Sequence, residues 1–153
     1  MGLDQPIIAD TNFLSDYLAG KITAKKEVHA LLKEGLYVVT TVITVSELYF
    51  GSYRRKWQQK RSQALDQLVS SLQVISFARN HTREYGKIRS LLVNQGIDIG
   101  FTDTVIAAIA KTEDFPVLTS NIKHFERIKD LKLRPYHQSL TTYEPTNSSS
   151  NNC

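Results

Sequence analysis

Four oxygen-bearing side chains stand where an α/β fold concentrates its chemistry. Asp10 directly follows the apolar run Ile7-Ile8-Ala9, and Glu47 comes one helical turn after the β-rich run 36–42. Asp103 opens a helical pattern after the segment 96–102, and Asn121 follows Val117-Leu118-Thr119-Ser120. In an open parallel sheet, groups just beyond the carboxyl ends of the strands converge on one crevice. Three carboxylates and an amide at one sheet edge would repel one another unless a cation sat among them. These positions hold neither His nor Cys, so the donor set suits a hard ion such as Mg²⁺ or Mn²⁺. An ion of that kind lowers the pKa of a bound water and stabilises charge on a phosphoryl oxygen, which is the chemistry of phosphodiester hydrolysis. Taken singly, each acid has a structural explanation. A carboxylate in the first turn of a helix gains about 0.3–1 kcal/mol from the helix dipole, and Asp10 before Thr11-Asn12 can simply cap one. The case for a site rests on all four together.

The elements that must position these groups are legible from periodicity. Short apolar runs at 7–9, 36–42, 73–77, 117–120 and 133–136 read as strands. Helical patterns lie between them, at 13–18, at 24–33 ending on Gly35, and over 45–72, where Gly51 marks a kink or a split. Further helices run from an Asn80 cap through Leu92 to Gly96, over 103–111 from a Thr102 cap, and over 124–128. Strands separated by helices in this rhythm predict an α/β domain with a mainly parallel sheet.

Composition bounds the rest. The chain has 153 residues, enough for one domain with its own core, and the reading places that domain at 1–138. Hydrophobic residues at 41% and charged residues at 22% exclude wholesale disorder and fibrous repeats. The polar stretch 139–153 cannot bury enough surface to offset its ordering entropy and is expected to be disordered. Cys153 is the single cysteine, so neither a disulfide framework nor a cysteine-rich zinc site can form within the chain, which fits a reducing cytoplasm. The start MGLDQPIIAD has no cationic leader segment, and no run reaches the ~18–20 apolar residues of a membrane span, so neither a secretion signal nor a membrane anchor is expected. A net charge of +4 is compatible with a polyanionic partner but small for a protein that coats nucleic acid.

The runs IIADTNFL, TTVITVSELYFG, IGFTDTVIAAIA and VLTSNIKHFERI resemble, in order and spacing, the four motifs of PIN-domain proteins, especially the VapC-type toxins. The likeness extends over residues 7–136. It implies a three-layer α/β/α fold around a mainly parallel central sheet and an endoribonuclease activity dependent on Mg²⁺ or Mn²⁺. It also implies an RNA substrate, a VapB-like antitoxin that masks the site, and a two-fold homodimer. Carried over residue by residue, it makes Asp10, Glu47 and Asp103 the metal-binding and catalytic acids. Asn121 completes the catalytic set at a position where many members carry aspartate; a neutral amide coordinates less strongly and can act through water or by orienting the others. Thr11 and Thr119 match hydroxyl residues that buttress the acids.

Other features admit two readings each. Arg54, Arg55, Lys56, Lys60 and Arg61 surround Trp57 and could contact RNA or a partner, or else form a solvated helix face. Tyr49, Phe50, Tyr53 and Trp57 offer apolar surface for a two-fold contact. Asp98 reads as a turn residue and Glu84 as a helix-dipole partner, while His29, His81, His124 and His137 show no ligand spacing. Two further functions stay open at this point. Asp10 could be the nucleophile of a phosphatase, although Asn12 stands where a haloacid-dehalogenase-like enzyme would place a second aspartate. A degenerate PIN-like module that binds RNA or protein without cutting is favoured by Asn121 and opposed by the three intact acids.

Overall fold

Ile7 and Ala9 project to one face of the first strand and Ile8 to the other, and this alternation divides the core in two. The computed structural model describes residues 5–137; the 139–153 tail and Cys153, expected to be disordered and unpaired, lie outside the described residues. Five strands, β1 (Gln5–Ala9), β2 (Leu36–Thr41), β3 (Gln73–Ile75), β4 (Val117–Thr119) and β5 (Leu133–Pro135), form a sheet in the order β3-β2-β1-β4-β5. All four pairings are parallel, so β1 lies at the centre and every strand points its carboxyl end the same way.

The helices are α1 (Thr11–Leu18), α2 (Ile22–Lys33), α3 (Val42–Arg54), α4 (Gln59–Ser71), α5 (Thr82–Asn94), α6 (Phe101–Glu113) and α7 (Ile122–Phe125). Ile8 and Val39 pack with Ile88 and Leu92 of α5 and with the α6 run Val105 to Ala110 on one face. Ile7, Ala9 and Leu118 pack with Phe13 and Leu14 of α1, Leu31 of α2, Leu48 of α3 and Leu65 of α4 on the other. Helices thus cover both faces, giving the expected α/β/α layering. Among the described residues, no helix is long and apolar enough to cross a membrane.

Three local expectations are corrected. The long pattern 45–72 is split, but not at Gly51: α3 continues to Arg54 and stops where Lys56 takes a left-handed φ of 48°. Lys56 N–H then bonds Tyr53 O and Trp57 N–H bonds Ser52 O at 3.1 Å, the paired closure that ends many helices, here without its usual glycine. Asn80 is not a helix cap; it lies in a 3₁₀ turn, Arg79–His81, with its amide 3.4 Å from Glu113 Oε1. Thr102 is inside α6, whose cap is Gly100 at φ 83°, a conformation that glycine adopts without penalty.

Candidate active site

Asp10 is fixed by the end of the central strand. Its own N–H donates to Leu118 O at 3.1 Å, and the Thr40 hydroxyl donates to Ala9 O at 3.1 Å, so both neighbouring strands hold the residue that bears it. The side chain is only 4% exposed. Oδ1 accepts the N–H of Phe13 at 2.9 Å, which makes Asp10 the cap of α1, and Oδ2 accepts the hydroxyl of Thr119. Burial pushes its carboxyl up to about 6, and the charge of Asp103 pushes the same way. The hydrogen bonds from Thr119 and from the backbone of Phe13 and Asn12 pull it down. Asp10 therefore is a cap, and it is also a buried acid with no cationic partner among the described residues.

From Thr119 a chain of contacts leads to the second acid. The Thr119 oxygen accepts the N–H of Asn121 at 2.9 Å, and the Asn121 amide donates to Asp103 Oδ2 at 2.9 Å. Asp103 occupies the first turn of α6, a helix buried from Thr104 to Ala110, so its position is set by the most enclosed helix of the fold. His124 Nδ1 lies 2.8 Å from the same Asp103 oxygen and 2.7 Å from the Asn121 amide nitrogen. Sequence reasoning missed His124. Its one cue was the spacing from Asn121, three positions, which places both side chains on one side of a helical turn.

Glu47 reaches the site by another route. It is exposed on α3 and lines a cleft of about 190 Å³ together with Thr11, Asn12, Ser15, Arg54 and Arg55, so it stands across from the first residues after Asp10. Thr11 lines this cleft, and the hydroxyl that bonds Asp10 is that of Thr119. The structure joins Asp10, Thr119, Asn121 and Asp103 in one network and leaves Glu47 on the cleft wall. Among the described residues, no three acidic, histidine or cysteine side chains are gathered into a ready-made metal cage. The donor chemistry nonetheless fits a divalent ion: Asp10 is destabilised as an anion by burial and by Asp103, and a cation between them removes both penalties.

The basic run divides into parts with different surroundings. Arg54 and Arg55 line the cleft beside Glu47, with the Arg54 guanidinium 6.0 Å from the centre of the Phe50 ring. Lys56 is the left-handed residue that ends α3, and Lys60 is exposed on α4. Arg61 lies 3.9 Å over the ring of Trp57. Trp57 and Tyr49 pack against the core, and the Tyr49 hydroxyl donates to Asp66 at 2.7 Å. Of the four aromatics offered for a two-fold contact, Phe50 at 59% and Tyr53 at 79% exposure remain free for one.

Asp98 is a turn residue, accepting the Gly100 N–H and the Arg89 guanidinium, both at 2.8 Å, which hold its carboxyl below the usual range. Glu84 pairs with Lys111 at 3.0 Å. His81 is buried, with Nδ1 accepting the Ala78 N–H at 2.9 Å and Nε2 at 2.7 Å from Glu113.

Comparison with known proteins agrees with this architecture. The PIN-domain family model matches residues 7–131. The chain is 34% identical to Ribonuclease VapC2 of Rickettsia felis over 103 residues, covering 67% of this chain and 77% of that protein. It is 33% identical to Ribonuclease VapC of Rickettsia bellii over 130 residues, covering 83% of this chain and 93% of that one. Among solved structures it superposes on a chain of the VapBC2 complex of Rickettsia felis, crystallised bound to a DNA fragment from its promoter. The TM-score is 0.79 at 28% identity, covering 87% of this chain and all of the other (100%).

Proposed function

We propose, from the premise that this chain belongs to the PIN-domain family, that it is a divalent-metal-dependent endoribonuclease and the toxin of a VapBC-type toxin–antitoxin pair. The ribonuclease names of its relatives and the toxin–antitoxin complex on which it superposes support this reading. The observation that carries it is the network running from Asp10 through Thr119 and Asn121 to Asp103. It brings two acids from distant parts of the chain to the carboxyl ends of β1 and β4.

In this reading Asp10, Asp103 and Glu47 hold one or two ions of Mg²⁺ or Mn²⁺. A bound ion supplies a water of lowered pKa and neutralises charge developing on the phosphoryl group. The chain's own residues do the rest. Thr119 fixes the orientation of Asp10, Asn121 fixes that of Asp103, and Arg54 and Arg55 receive RNA phosphates along the cleft beside Glu47. Family membership sets aside the phosphatase reading, and both oxygens of Asp10 are engaged by Phe13 and Thr119 rather than presented as a free nucleophile.

The protein acts in the cytoplasm, where its RNA substrate is found. It assembles as a homodimer through the α3 face bearing Phe50 and Tyr53, and a VapB-like antitoxin masks the cleft. The reading is tested by incubating the purified chain with end-labelled single-stranded RNA. Cleavage that requires Mg²⁺ or Mn²⁺, stops in EDTA and leaves 5′-phosphate ends is expected. Binding of RNA with no cleavage under either metal would favour the non-catalytic module instead.

A further inference from the structure

Phe101 opens α6, two residues before Asp103, with 59% of its surface exposed. A single exposed phenylalanine is ordinary on a protein surface; this one is set apart by what holds it and where it stands. The Tyr85 ring of α5 meets it at 6.0 Å between centroids and 60° between planes, and Phe77 meets Tyr85 in turn at 5.9 Å and 62°. Tyr85 and Phe77 are half-buried and packed against the core. Three rings thus form a ladder that starts in the core and ends beside the acidic site. Phe50 and Tyr53 are at least as exposed, but among the described residues neither rests on another ring.

The edge-to-face contact with Tyr85 occupies at most one face of the Phe101 ring and fixes its tilt. A flat, preoriented apolar face is what an unpaired base stacks on, and it accepts any base because every base has a π-face. The location suits the same ligand. Phe101 shares the first turn of α6 with Asp103, while a step of two residues sends the two side chains to nearly opposite sides of the helix. Phe101 therefore stands outside the acid network, separated from Asp103 by no more than the ~10–12 Å width of a helix, where a nucleotide flanking the cut phosphate would lie.

We propose that Phe101 is a stacking platform for one unpaired base of the RNA, on the α5 side of the acidic site. This inference rests on the ribonuclease reading of that site. The platform grips a base without reading its edge, so it adds affinity and register rather than sequence preference. Arg54 and Arg55 line the α3 cleft and Phe101 stands at the start of α6, so phosphate and base are held by different helices.

The test measures binding of the full chain to single-stranded RNA oligonucleotides by fluorescence anisotropy, with Ca²⁺ in place of the metal that supports cleavage. The RNA is used intact and with an abasic sugar at each position in turn. The wild type, Phe101→Ala, Phe101→Leu and Phe101→Trp are compared, with thermal melts to establish that each is folded. The alanine and leucine variants are expected to bind intact RNA at least about fivefold more weakly, the smallest usual cost of losing one stacked base, whereas tryptophan retains or strengthens binding. Leucine keeps apolar volume over Tyr85, so a loss shared with alanine is not a packing defect. One abasic position should weaken wild-type binding by a similar factor and cost the alanine variant nothing further, because the two changes remove the same contact. If the alanine and leucine variants bind as the wild type does, or if every abasic position costs them what it costs the wild type, Phe101 contacts no base. The inference then falls while the ribonuclease reading stands. If the coupling to one abasic position is found in a protein that cuts no RNA with Mg²⁺ or Mn²⁺, the platform stands and the ribonuclease reading falls. A wild type that binds no RNA overturns both.

Discussion

The hydroxyl of Thr119 donates to Asp10 Oδ2 and accepts the N–H of Asn121 at 2.9 Å, so a single fully buried side chain ties the acid ending β1 to the loop leaving β4. Thr119→Val keeps the shape and removes both bonds. It leaves a buried acceptor and a backbone donor unpaired, at a cost of about 1–3 kcal/mol. Urea unfolding should show that loss, Thr119→Ser should recover most of it, and RNA cleavage should fall in the valine variant even where it remains folded.

The raised carboxyl of Asp10 gives a pH dependence with a definite sign. Its ordinary value is 3.8 and its folded value about 6, so between these values the folded state binds the extra proton. The contribution to stability is present below the lower value and is lost as pH rises through the upper one, amounting to as much as roughly 3 kcal/mol. In EDTA, the wild type should lose stability between about pH 4 and 6 relative to Asp10→Asn, whose profile should be flatter there. Thermal melts across that range check it, and added Mn²⁺ should restore wild-type stability above pH 6.

Asp98 provides the contrasting case. Its Oδ1 accepts both the Gly100 N–H and the Arg89 guanidinium, which hold the carboxyl below the usual range, so its charge is already balanced by a cation of the chain. Asp98→Ala should cut RNA at close to the wild-type rate. A loss comparable to that of an Asp103 variant would place Asp98 in the site.

Arg54 and Arg55 line the cleft beside Glu47 and should bind phosphate rather than bases. In the double alanine variant the dependence of log affinity on log salt should become shallower by about 1.4 for single-stranded RNA, if each contact releases one counterion. The maximal cleavage rate should be retained. Fluorescence anisotropy at several salt concentrations, with metal replaced by Ca²⁺, measures the slope; an unchanged slope would remove these residues from the RNA path.

The parts of this molecule that could be read from sequence are those governed by short-range periodicity. Ile7-Ile8-Ala9 followed by Asp10, and Val117 to Thr119 followed after Ser120 by Asn121, are strands whose carboxyl ends announce the site, and the sheet is parallel as expected. The split in the long helical stretch was misplaced because Lys56, rather than a glycine, adopts the left-handed conformation after Arg54, and nothing in its side chain signals that. The start of α6 was misread because Gly100 caps through backbone conformation, whereas Thr102 merely looks like a cap. His124 was invisible for a different reason. Its partner Asp103 lies 21 positions away, and only the packing of α7 beside the start of α6 brings them together. Glu47 was identified by position along its helix, which sets the face it occupies but not its distance from Asp10.

In the proposed function, the buried Asp10 carboxylate would hold a divalent ion for RNA cleavage. The most direct measurement compares Asp10→Asn with the wild type for RNA cleavage in Mn²⁺ and for thermal stability in EDTA. Asparagine caps a helix about as well as aspartate and removes the repulsion with Asp103. The variant is therefore expected to lose cleavage while its metal-free stability at neutral pH holds or rises. A variant that cuts at the wild-type rate, or a wild type that cuts in excess EDTA, would contradict it.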